Sequence, residues 1–217
     1  MYKTVVFDLD GTLLNTLTDL ADAGNRLCRK YGWPTHERQA YRYFVGNGIP
    51  KLVERLAPAD QRTLAVLEAA LADFKRDYGQ HLRDTTAPYP GIPEMLAKLK
   101  ANGVQLAVFS NKADALAKEV VKDYFGTQYF TIVRGQMTGV APKPAAEGTN
   151  ALLQALHADP ASTLYVGDSN VDVETAHNAN LPCCGAVWGF RTREELNAAG
   201  AEYLAENSDE LYDVIMK

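Results

Sequence analysis

Hydrophobic positions fall along this chain in two rhythms. Val5, Val6, Phe7 and Leu9 form an apolar run with little polar interruption, the pattern of a strand covered on both faces of a parallel sheet. Between residues 16 and 31 the spacing changes. Leu17, Leu20, Ala21, Gly24, Leu27 and Cys28 recur at helical intervals, with Thr16 or Thr18 placed to cap and Gly32-Trp33-Pro34 placed to stop. Shorter helical patterns fit residues 37–44 and 49–57, and a longer one begins after Pro58 and reaches toward Leu82. Residues 16–84 therefore predict helices alone.

At Pro88-Tyr89-Pro90-Gly91 a hinge-like segment interrupts the pattern. Beyond it, strands are predicted at 104–109, 129–133, 163–166, 183–187 and 203–204. Helices are predicted at 92–101, 113–123, 146–157, 171–179, 193–199 and 208–216. This alternation predicts an α/β fold, a doubly wound parallel sheet with helices on both faces. The expected organisation is a core of residues 1–15 and 85–217, with a small all-helical domain of residues 16–84 inserted after the first strand.

Composition narrows the class. The chain has 217 residues, 47% of them hydrophobic, enough for a proper core in one large or two small domains. A net charge of -5 with no Lys/Arg run argues against a nucleic-acid surface. No charged-then-apolar leader follows Met1, and no apolar run approaches a membrane span. The expectation is a cytoplasmic protein with no membrane partner, either a monomer or a weak homodimer. Cys28, Cys183 and Cys184 are an odd set with two adjacent. They read as reduced thiols acting as small buried hydrophobes, and no zinc-like Cys/His spacing exists.

The polar residues that interrupt this pattern mark the chemistry. The first strand ends on Asp8 and Asp10, which point the same way in extended chain, and Gly11 then permits a sharp turn. Ser110 and Asn111 follow the 104–109 strand, and Asp168 and Ser169 follow the 163–166 strand. In a doubly wound sheet the ligand crevice lies beyond the strand C-termini, so these separated segments converge there. Lys143, between Pro142 and Pro144, leads toward the same rim, and Asp172 joins from a helix start.

Each residue has a plainer reading. The first acids can be solvated at a turn, Asp168 can cap a helix, and Asp172 can answer a helix dipole. Together, however, clustered carboxylates call for a hard cation, and oxygen-only ligands suit Mg2+. With Lys143, such a cation would neutralise a phosphate dianion. One carboxylate could attack phosphorus while a second protonates the leaving oxygen and then activates water.

Asp8-Leu9-Asp10-Gly11-Thr12-Leu13-Leu14, Ser110-Asn111-Lys112, Lys143-Pro144 and Gly167-Asp168-Ser169-Asn170-Val171-Asp172 resemble the four motifs of the haloacid dehalogenase superfamily, in that family's order. The helical insertion resembles the cap domain of one large subgroup. Phe44-Val45-Gly46-Asn47-Gly48-Ile49 with Leu52-Val53-Glu54-Arg55, Ser110-Asn111-Lys112 and Val187-Trp188-Gly189-Phe190 bring the resemblance nearer to phosphoglycolate phosphatases. Asn15 departs from the subgroup, where Asp is usual.

The resemblance implies Asp8 as the nucleophile and Asp10 as general acid and base, with the Asp10 backbone carbonyl on Mg2+. It implies Ser110 and Asn111 on phosphate, Lys143 steadying charge, and Asp8, Asp168 and Asp172 at or near the metal. Thr12 either bonds phosphate or shapes the turn. The Gly46-Asn47-Gly48 loop either links helices or offers N–H groups to an anionic substrate. The expected activity is Mg2+-dependent hydrolysis of a small phosphorylated metabolite, with 2-phosphoglycolate the leading candidate. A phosphomutase or pyrophosphatase on the same scaffold, or a non-catalytic phosphometabolite-binding protein, are the alternatives. A dehalogenase has no use for Asp10.

Overall fold

The computed structural model describes residues 1–217. The chain divides into two compact units, Met1–Asn15 with Pro88–Lys217, and Thr16–Ala87. It starts in β1 (Thr4–Phe7), crosses through β2 (Leu14–Asn15) and enters a run of helices. These are α1 (Leu17–Tyr31), α2 (Tyr41–Phe44), α3 (Ile49–Leu56) and α4 (Leu64–Gln80). The chain returns through β3 (Ala87–Pro88), and β2 and β3 pair with each other.

The alternating half follows. It runs through α5 (Ile92–Ala101), β4 (Gln105–Ala113), α6 (Asp114–Phe125), β5 (Phe130–Gln136), α7 (Ala146–Leu156) and β6 (Thr163–Gly167). It ends with α8 (Asn170–Asn178), β7 (Cys183–Ala186), α9 (Arg193–Ala198), β8 (Tyr203–Ala205) and α10 (Ser208–Met216).

The main sheet has the order β5-β4-β1-β6-β7-β8, and every pairing is parallel. Strand β1 is central, with Val6 opposite Ala107 on one side and Tyr165 on the other. All four of its residues are buried, which explains an apolar run rather than an alternation. The strand order reverses beside β1, so the carboxyl ends of β1, β4 and β6 open toward one crevice. On one face Val6, Phe109, Tyr165 and Cys183 pack with Leu152, Leu153, Val173 and Leu196 from α7, α8 and α9. Each such side chain contributes roughly 1.5–3 kcal/mol by leaving water. The three cysteines are free thiols and buried.

Among the departures from the predicted pattern, two matter most. Strand β4 does not end at Phe109 but runs to Ala113, with a register break against β5 between Phe109 and Ala113. Ser110 and Asn111 are therefore strand residues, not loop residues. In the helical unit, the helix expected from Pro58 is delayed. A short 3-10 turn at Ala59–Gln61 comes first, and Thr63 then caps α4 by accepting from the Val66 N–H.

The helical unit also extends beyond residue 84. The Asp19 carboxylate on α1 accepts from the backbone N–H groups and hydroxyls of Thr85 and Thr86, which binds these residues to the helices. The chain therefore passes back at Ala87–Pro88. No helix is long and apolar enough to cross a membrane.

Candidate active site

The polar ends of β1, β4 and β6 meet around one buried ammonium. Lys143 Nζ lies 2.8 Å from Asp8 Oδ1 and 2.7 Å from Asp172 Oδ1, and its side chain is 2% exposed. It also donates to the Tyr165 hydroxyl at 3.2 Å and to the Phe109 carbonyl at 3.4 Å. The segment carrying it is fixed by Asn111. That carboxamide accepts from the Lys143 N–H at 2.8 Å and donates to the Lys143 carbonyl at 3.2 Å. The Asn111 side chain thus holds the lysine in place.

Asp168 is boxed in from three directions. Thr12 donates its hydroxyl to Oδ1 at 3.1 Å, and the Phe190 N–H donates to Oδ2 at 2.7 Å. The Arg191 N–H reaches the Asp168 carbonyl at 3.3 Å. A Cβ on Gly11, whose φ is +92°, would sit 2.3 Å from Asp168 Oδ2, so the sharp turn after Asp10 requires glycine. The Thr12 hydroxyl thus helps to orient Asp168.

Asp172 is equally well held. Its Oδ1 faces Lys143, and its Oδ2 accepts from Ser169 N–H at 3.1 Å and Ser169 Oγ at 2.7 Å. Ser169, not Asp168, is the N-cap of α8, with Asp172 completing a capping box. Asp168 is thus left available for chemistry.

Carboxylate oxygens of Asp8, Asp168 and Asp172 all lie within 4.8 Å of one another. Burial pushes the Asp8 carboxyl up to about 7. Lys143 opposes that rise, while Asp172 and Asp10 add to it. Burial, then Asp172 and Asp8, push Asp168 well above the ordinary carboxylate range. Burial alone would weaken the Lys143 ammonium, but Asp172 and Asp8 outweigh it and hold the group protonated. One ammonium is thus set against three packed carboxylates. That excess of buried negative charge and the all-oxygen donor set fit a hard divalent cation.

Asp10 stands apart from this cluster. Its carboxylate is bound by Lys112 Nζ at 3.0 and 3.3 Å. Ser110 is buried, and its Oγ accepts from the Lys112 N–H at 3.2 Å. Gly46, Asn47 and Gly48 belong to the helical unit. There Asn47 Oδ1 accepts from Arg55 at 2.9 Å, and the same guanidinium holds the Phe44 carbonyl at 2.7 Å.

Sequence reasoning gave no role to Tyr165 or, beyond its place in the Ser110-Asn111-Lys112 motif, to Lys112, and it used Val187-Trp188-Gly189-Phe190 as a point of resemblance with no role in the site. That segment in fact backs the site. Besides the Phe190 and Arg191 contacts, Trp188 Nε1 donates to the Thr12 carbonyl at 3.0 Å. For Lys112 a signal existed: it lies two residues from Ser110 in extended chain, on the same face.

Fold and site together define the class: a doubly wound α/β core with a carboxylate cluster at the ends of its central strands. A family model for haloacid dehalogenase-like hydrolases matches residues 5–186, and the chain belongs to that family. A phosphoglycolate phosphatase of Mesorhizobium japonicum is 32% identical over 191 residues, spanning 87% of this chain and 84% of its own. One of Chromobacterium violaceum is 31% identical over 216 residues, spanning 98% and 96%. A crystal structure from Lactobacillus delbrueckii subsp. bulgaricus, whose name carries the same activity as an unconfirmed assignment, superposes with a TM-score of 0.93. It is 28% identical and covers 99% of this chain and 98% of its own.

Proposed function

We propose that the protein is a Mg2+-dependent phosphatase of small phosphorylated metabolites, with 2-phosphoglycolate as the leading substrate. The observation that carries this reading is the Asp8 carboxylate held 2.8 Å from a buried lysine and beside two further carboxylates. The names of the relatives point to the same substrate.

In this reading Asp8 attacks phosphorus and becomes an aspartyl-phosphate, expelling the alcohol. Asp10 protonates the departing oxygen, then takes a proton from the water that hydrolyses the acyl-phosphate. Lys143 orients Asp8 and offsets phosphate charge. Ser110 and the Asn111 N–H hold phosphate oxygens. Asp8, Asp168 and the Asp10 backbone carbonyl are the groups that would hold Mg2+, which supplies positive charge for the phosphate. Asp172, whose Oδ1 is paired with the Lys143 ammonium, positions that lysine at the edge of the metal site. Thr12 fixes Asp168. The helical unit acts as a cap, offering Gly46, Asn47 and Gly48 to the substrate. The protein works in the cytoplasm as a monomer or weak homodimer.

The test is phosphate release from a panel of phosphate monoesters with Mg2+ or chelator, for wild type and Asp8→Asn. Release that needs Mg2+ and vanishes in Asp8→Asn is expected, a loss of at least about 1,000-fold. Full activity in Asp8→Asn would sink the assignment.

A further inference from the structure

The catalytic cycle above gives no task to the buried charge of Lys112. The Lys112 side chain is 3% exposed, and its ammonium spans both oxygens of Asp10, at 3.0 and 3.3 Å. It lies in the part of β4 where the register against β5 breaks, just after Phe109. Such breaks re-aim side chains. The Lys112 N–H on Ser110 Oγ fixes the local backbone.

An ammonium that bridges both oxygens of Asp10 engages the atoms Asp10 would turn toward a leaving group. A buried lysine charge does not give up its anion without another to replace it, because desolvation makes the unpaired state costly. Lys143 is already shared by Asp8 and Asp172. A second anion on the substrate would therefore find Lys112.

We propose that Lys112 is a specificity-determining residue. It exchanges its ion pair with Asp10 for the carboxylate of a phosphorylated 2-hydroxy acid, and the exchange frees Asp10 for the leaving oxygen. This rests on the phosphatase reading above. The substrate's own geometry matches. In such an acid the carboxylate is attached to the carbon that bears the leaving oxygen, so the two groups are neighbours, as Lys112 and Asp10 are. An ester without a second anion leaves the pair closed and Asp10 occupied.

The experiment compares 2-phosphoglycolate with 2-hydroxyethyl phosphate, in which a hydroxymethyl group replaces the carboxylate. Full-length wild type, Lys112→Met and Lys112→Arg are assayed with Mg2+. Wild type is expected to prefer the carboxylate ester by about 30-fold in kcat/KM, the scale of one charge-assisted hydrogen bond. Lys112→Met should collapse that ratio to within about three-fold, and Lys112→Arg should restore most of it. Lys112→Gln, which keeps a donor toward Asp10 without the charge, replaces Lys112→Met if that variant does not fold. It should lose the ratio too.

An unchanged ratio in the neutral variants, with both esters falling together, overturns the proposal. So does a wild type that cleaves both esters equally, which leaves the phosphatase reading standing. A wild type that cleaves no phosphate ester defeats that reading and this one with it.

Discussion

Asp8 carries electrostatic tension. In the metal-free protein its carboxyl rises from the ordinary 3.8 to about 7, first through burial and then through its acidic neighbours. Asp168 moves the same way, with burial again the first cause. A carboxyl whose folded value lies above its unfolded value binds protons more tightly when folded. Its contribution to stability is complete below the unfolded value near 4 and is lost as pH rises through the folded value. Without metal, these two groups therefore destabilise the fold progressively from about pH 4, with Asp8 completing its share near pH 7. A divalent cation binds the ionised forms and reverses that loss. The expected result is a larger rise in Tm on adding Mg2+ at pH 8 than at pH 5, with proton release on binding near neutral pH. Thermal melts with Mg2+ or chelator, and titration calorimetry in two buffers of different ionisation heat, measure both. An equal rise in Tm at both pH values would contradict the assignment of the metal to these carboxylates.

At the scale of elements, the segments that build the site differ sharply in how legible they were. The apolar run at β1 announced its acids, because Asp8 and Asp10 break a pattern of buried residues. The same logic pointed to Ser110, Asn111, Asp168 and Asp172, each standing at the end of a buried strand or near the start of the helix after it. It misjudged where β4 ends, since Ser110-Asn111-Lys112 is polar in sequence but lies in the strand and is buried. The Asn111 bonds to Lys143 and the Lys112 pair with Asp10, which compensate that burial, join residues 32 and 102 positions apart and leave no local pattern.

The contacts made by the segment from Trp188 to Arg191 were not legible for a different reason. Phe190 and Arg191 act on Asp168 through backbone N–H groups, which every non-proline residue carries. Only Gly189 hints at its use. A Cβ there would lie 2.2 Å from Asp168 Cβ and 2.5 Å from the Gly11 carbonyl oxygen, and neither can yield without moving the turn that bears the site. Gly189→Ala is therefore expected to cost about 1–3 kcal/mol of stability in chelator. It should also raise the Mg2+ concentration needed for the half-maximal Tm shift, because Asp168 loses its fixed orientation. A variant that is destabilised but binds Mg2+ as wild type does would make the segment structural only.

For the molecule as a whole, the question is how a chain tolerates a helical unit placed between β1 and the rest of its sheet. The interruption is closed by Asp19, which sits three residues past the start of the helical unit, while Thr85 and Thr86 immediately precede its end. The buried carboxylate accepts from both backbone N–H groups and both hydroxyls, at 2.5 to 2.9 Å for the shortest contact of each. The start and end of the helical unit are thereby fastened to each other, so the inserted unit is a closed loop in sequence. Nothing in the helical pattern of α1 marked Asp19, which reads as an ordinary polar position near a helix N-terminus, where an acid answers the dipole. The partners that give it a purpose lie 66 and 67 residues away. Asp19→Ala removes the acceptor for four donors, two of them on buried Thr86. It should cost about 1–3 kcal/mol for each donor that water cannot reach. Hydrogen exchange should report the loss locally, with amides 85 and 86 exchanging faster while those of β1 and β6 keep their wild-type protection. Unchanged protection at 85 and 86 would mean the unit's ends are held by other contacts. Loss of protection throughout the sheet would mean that the closure by Asp19 supports the core as well as the insertion.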